Sequence, residues 1–132
     1  MIKQEELADG IVQIHCRGVL DTSAWQGVRE TVRVRAVERH APLYVLLNLR
    51  PITTVDPIAF GELVTATVFN DTALTVMVAR RAHIHMVREI ISTYPDRDHL
   101  QLRVLPRLDE ALQALLDRQA LDRMQGVNRF GH

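Results

Sequence analysis

The sequence predicts an α/β domain with a four- to five-stranded, mostly parallel sheet, an N-terminal hairpin and about four helices. Three observations carry this. Leu43 to Leu49 and Ala73 to Ala79 are near-continuous apolar runs, as in strands covered on both faces. Stretches of helical periodicity separate these runs. Ahead of them, Ala8-Asp9-Gly10 joins two strand-like segments, and Asp-Gly at such a junction is a strong hairpin signal. The order reads β-β-α-β-α-β-α-β-α. Strands alternating with helices imply right-handed crossovers that lay helices against a parallel sheet.

Each element has its own justification. Residues 2 to 7 form the first strand and Ile11 to Arg17 the second. A helix follows, capped by Thr22 or Ser23, with Trp25, Val28, Val32 and Ala36 on one stripe. Val32-Arg33-Val34-Arg35 also alternates like a strand, but segment length and the need for a crossover between parallel neighbours favour helix. The strand ending at Leu49 leads through a short loop to Asp56-Pro57, which open a second helix carrying Phe60, Leu63, Val64, Thr67 and Val68. A third helix uses Ile84, Val87, Ile91 and Tyr94 and stops at Pro95. Leu100, Leu102 and Val104 alternate with Gln101 and Arg103, which suits an outer strand with one wetter face. The fourth helix starts at Leu108 and carries Ala111, Leu112 and Leu115; beyond them it is polar, apart from Leu121, to about Met124. Residues 1–125 are therefore expected to form a single domain, and 126–132 a frayed C-terminal tail.

Composition narrows the function. A chain of 132 residues can bury a core without staples, and aromatics at 5% leave that core to aliphatic side chains. Sixteen basic and sixteen acidic residues cancel, which argues against the positive excess that nucleic-acid binding needs. Lys3 is the only lysine, and the arginines are scattered along the chain. Cys16 is alone, so no intramolecular disulfide forms, and it reads as a small apolar filler of a strand rather than a reactive thiol. No stretch approaches the roughly 18 apolar residues of a membrane span, and the N-terminus lacks the apolar core of a signal peptide. The expectation is a soluble cytoplasmic protein.

The order and spacing of several motifs resemble a STAS domain, the SpoIIAA-like fold of anti-sigma-factor antagonists and of modules on sulfate transporters. The family's strand leading into Gly-x-Leu-Asp corresponds to Gly18-Val19-Leu20-Asp21, a slight departure from its usual pattern. Its apolar strand, loop and Asp-Ser helix start correspond to Val45 through Asp56-Pro57, and Leu108 to Leu112 is similar to its final helix start. The resemblance spans residues 5 to 117. It implies a non-catalytic, regulatory protein-interaction module of bacterial type, whose partner is an anti-sigma-factor-like kinase or another regulator. In that family the hydroxyl after the Asp is phosphorylated. A helix start welcomes an anion, and a phosphate adds about −1.5 to −2 charges there. Here Pro57 stands in that place without a hydroxyl, and Thr53 and Thr54 precede the helix. The usual phospho-switch should be absent.

The candidate partner-binding residues are accordingly Thr53, Thr54, Asp56, Pro57 and Phe60. Asp56 has a second, compatible role as a helix cap worth about 1 kcal/mol. Asp21 reads mainly as a structural cap or turn. Arg80-Arg81, at the end of a strand, could hold an anion such as a nucleotide phosphate, and form the candidate ligand site of an alternative reading. In that alternative the domain is a small-ligand sensor or carrier for a nucleotide or lipid. His83 and His85 lie two apart on a helix, point about 200° apart and cannot share an ion, so no metal is expected. No Gly-rich phosphate loop, paired-carboxylate frame or Gly-x-Ser-x-Gly elbow occurs, so no catalytic residue and no cofactor are expected. The strand edge near Leu100 to Val104 is a candidate homodimer contact.

Overall fold

Asp9 and Gly10 form the tight turn that the Asp-Gly signal predicts, with Gly10 at φ 80°, a conformation open to glycine at little cost. The computed structural model describes residues 2–56, 58, 61, 72–93 and 101–130. The turn joins β1 (Ile2–Ala8) to β2 (Ile11–Cys16), which pair antiparallel. Then follow β3 (Gly18–Leu20), α1 (Thr22–Arg39), β4 (Leu43–Asn48), β5 (Ile52–Val55), β6 (Thr72–Val78), α2 (Arg81–Ser92), β7 (Leu102–Leu105) and α3 (Leu108–Phe130).

Five strands make the main sheet in the order β1-β2-β4-β6-β7. The β2–β4, β4–β6 and β6–β7 pairs are parallel, so the sheet is mostly parallel with an antiparallel edge, and β7 forms the opposite edge. Side chains alternate between two cores. Val12, Ile14, Val45, Leu47 and Met77 pack in one cluster with Trp25, Val28 and Val32 of α1 and Ile84 and Val87 of α2. Ile11, Leu46, Leu74, Val76 and Val78 pack on the other with Ala111 and Leu115 of α3. Helices on both faces explain why β4 and β6 read as unbroken apolar runs.

The predicted α1 stripe of Trp25, Val28, Val32 and Ala36 is buried, and the competing strand pattern at residues 32 to 35 loses to the helix. Asp21, rather than Thr22 or Ser23, is its N-cap: Asp21 Oδ1 accepts from the Ala24 N–H at 2.9 Å. Leu102 and Val104 are buried and Arg103 is exposed, the expected alternation of an outer strand. Leu100, Tyr94 and Pro95 lie outside the described residues.

Two readings need correction. Residues 51 to 55 are not simply a loop, because Ile52–Val55 is a strand, β5, paired parallel with the three-residue β3. The run ending at Arg17 likewise gives way to a second short strand at Gly18. The described residues contain three helices. Ile58 and Gly61 are also helical, while the other residues of the expected second helix lie outside the description. α3 extends to Phe130.

Candidate functional site

Between β4 and the expected second helix the chain turns a corner. The Leu49 carbonyl accepts from the Ile52 N–H at 3.1 Å, and Asn48 Oδ1 accepts from the Arg50 N–H at 3.1 Å, so the exit from β4 is held from both sides. β5 then runs beside β3, with Val19 opposite Thr54 and Leu20 opposite Val55. Gly18, at φ 79°, starts β3 in a conformation that side-chain-bearing residues rarely adopt. Its carbonyl accepts from Thr53 Oγ1 at 3.2 Å.

Asp56 closes the corner. Its N–H donates to the Leu20 carbonyl at 3.1 Å, and its Oδ1 accepts from the Ile58 N–H at 3.0 Å. The carboxylate thus satisfies an amide at the start of a helical segment, as a cap does. Asp56 is half-buried, while Thr53 and Thr54 are exposed. Beside them Val19 is 53% exposed and Ile58 70% exposed. Pro57 and Phe60, the other two predicted partner-binding residues, lie outside the described residues.

Val19 and Ile58 are the residues that sequence reading missed here. Val19 sits inside the Gly-Val-Leu-Asp run, where an apolar residue in a short strand reads as core. Only its pairing with exposed Thr54 reveals which way it faces.

Solved structures resembling this arrangement include anti-sigma factor antagonists. SpoIIAA in its unphosphorylated form superposes with a TM-score of 0.58 at 15% identity, covering 96% of this chain and 99% of that one. An anti-sigma factor antagonist from Mycobacterium paratuberculosis gives 0.60 at 19% identity, over 87% of this chain and 92% of its own. The chain has a STAS-type, SpoIIAA-like fold. An uncharacterised protein with a SpoIIAA-like fold from Shewanella loihica gives 0.59 at 11% identity, over 87% and 92% of the two chains. No protein-family model matches the sequence, and no curated protein does.

In this SpoIIAA-like frame the predicted ligand residues fall elsewhere than the corner. Arg80 follows β6, and Arg81 opens α2 rather than closing a strand. Both line a cleft of about 750 Å³, together with Arg50, Arg88 and His85. Arg80 Nε donates to the Arg50 carbonyl at 3.0 Å, tying the exits of β6 and β4 together. His83, on the same helix, has its pKa lowered by burial and, secondarily, by the Arg80 charge. Among the described residues no three His, Cys, Asp or Glu side chains are grouped to hold a metal ion. No helix among them is long and apolar enough to cross a membrane.

Proposed function

We propose that this chain is a non-catalytic, cytoplasmic docking module, with residues 1–125 acting as one unit and the β3–β5 corner as its recognition surface. The observation that supports this best is the exposure of two aliphatic side chains, Val19 and Ile58, beside Thr53, Thr54 and the capping Asp56. Exposed apolar groups framed by polar ones suit a protein surface, where a few buried anchors carry most of the affinity. The likeness to solved anti-sigma factor antagonists supports a partner of the anti-sigma-factor-kinase type or a related regulator. Position 57 offers no hydroxyl, so docking is controlled by expression, competition or assembly rather than by phosphate there.

The test is affinity isolation of the tagged full chain from its native cell, followed by quantification of co-purifying proteins. Ile58→Glu and Asp56→Lys are expected to deplete a partner that wild type recovers. Leu121→Glu, which charges an exposed leucine on α3, should leave recovery unchanged. Equal recovery by all four proteins would remove the corner from consideration.

A further inference from the structure

The arginine-lined cleft is independent of the docking corner and carries its own chemistry. Three parallel strands, β4, β6 and β7, deliver their carboxyl ends to one side of the sheet. Arg50 follows the first, Ala79 and Arg80 the second, and Pro106 the third; Arg81, His85 and Arg88 come from α2. Crevices outside the carboxyl ends of parallel strands are where open α/β sheets hold ligands, and about 750 Å³ lies within the usual range of small-molecule sites.

The charge pattern says which ligand. Elsewhere among the described residues five arginines face carboxylates: Arg33 with Glu30, Arg39 and Arg123 with Asp9, Arg107 with Asp109, Arg118 with Asp122. Among the described residues, none of the four cleft arginines has a carboxylate partner. Arg80 and Arg88 spend one N–H each on backbone carbonyls, those of Arg50 and Val104, which holds the guanidinium groups in place without neutralising them. In a chain whose formal net charge is zero, four exposed like charges around one concavity form a local field that a polyanion would relieve. Guanidinium groups bind phosphoryl oxygens in paired hydrogen bonds. Ala79, Ile84 and Pro106 complete the lining, which among the described residues contains no Phe, Tyr or Trp.

We infer that this cleft binds a small molecule carrying at least two neighbouring phosphoryl groups, recognised through the phosphates rather than through any attached base. The site holds such a group between Arg50 and Arg80 on the sheet side and Arg81 and Arg88 on the helix side, with His85 adding a ring nitrogen. Free pyrophosphate and the diphosphate end of a nucleotide share this chemistry.

Calorimetric titration of the full chain at low salt tests it. Pyrophosphate is expected to bind saturably, at least about tenfold more tightly than inorganic phosphate or sulfate. A nucleoside diphosphate should match pyrophosphate within about tenfold, since recognition ends at the phosphates. Arg81→Gln and Arg88→Gln should each weaken pyrophosphate about tenfold. Arg81 is exposed and makes no hydrogen bond or ion pair among the described residues, so its replacement leaves folding intact. Arg33→Gln, on α1 outside the cleft lining and paired with Glu30, should bind like wild type. Absence of saturable binding, equal binding of sulfate and pyrophosphate, or equal loss in Arg33→Gln would overturn the assignment. A nucleoside diphosphate far tighter than pyrophosphate would overturn recognition by phosphate alone.

Discussion

Cys16 lies buried in β2, and burial pushes its thiol pKa up to about 11. The thiolate is the nucleophile, so a thiol held protonated and covered is inert. Iodoacetamide near neutral pH is expected to leave the native protein unmodified and to alkylate Cys16 once urea unfolds it. Rapid native labelling, read by intact mass, would contradict that burial. His40 is a second informative residue. It closes α1 in the left-handed region at φ 55°, donating its N–H to the Ala36 and Val37 carbonyls. A side chain there costs about 1 kcal/mol or more, and glycine is the residue best suited to the position after a helix. His40→Gly should therefore raise stability by about 0.5–1 kcal/mol in urea unfolding. Gly10 predicts the reverse. At φ 80° an added Cβ is strained and would stand 2.9 Å from the Arg39 guanidinium, so Gly10→Ala should cost about 1–2 kcal/mol.

At the scale of elements, the hairpin tip is fastened to two helices. Asp9 Oδ1 accepts from Arg39 of α1 at 2.8 Å, and the Asp9 carbonyl accepts from Gln119 of α3 at 2.6 Å. The Arg39 hydrogen bond and charge hold the Asp9 carboxyl below its usual range. A carboxyl whose pKa is depressed on folding stabilises above its unfolded value, about 3.9, and loses that contribution as pH falls through the lower folded value. The urea midpoint of wild type should thus exceed that of Asp9→Asn at neutral pH, and the gap should close in acid. Beside the same hairpin tip, Tyr44 of β4 donates its hydroxyl to Asp122 of α3 at 2.7 Å, and burial, aided by this bond, raises the phenol pKa to about 12. Tyr44→Phe should cost about 1–2 kcal/mol, read by thermal or urea unfolding.

These elements differ in how far the sequence announces them. α1 and β4 are legible because eighteen and six residues, respectively, are enough to display a helical stripe and an unbroken apolar run. β3 and β5 span three and four residues, too short for periodicity, and Thr53-Thr54 beside Pro51 reads as a loop until the pairing partner is known. Asp56 was visible as a cap because Asp before Pro is local chemistry. The arginine cleft was visible only at Arg80-Arg81, since Arg50 joins them through the parallel β4–β6 register and not through proximity in the chain.

For the whole molecule, the sheet organises both surfaces from the exit of β4. Arg50 enters the cleft, and a few residues later β5 builds the corner with β3. Pro57→Ser is expected to fold, because serine is tolerated at the start of a helix, and its unfolding midpoint checks this. It should become a substrate for a kinase that recognises this fold, an outcome phosphate incorporation would report. Hydrogen exchange of the isolated complex with its partner tests the central claim most directly. Binding is predicted to protect amides of residues 18–20, 52–56 and 58 while those on the exposed face of α3 keep their free-state rates. Protection confined to α3 or to the β7 edge, with residues 18–20, 52–56 and 58 exchanging as in the free chain, would contradict the account.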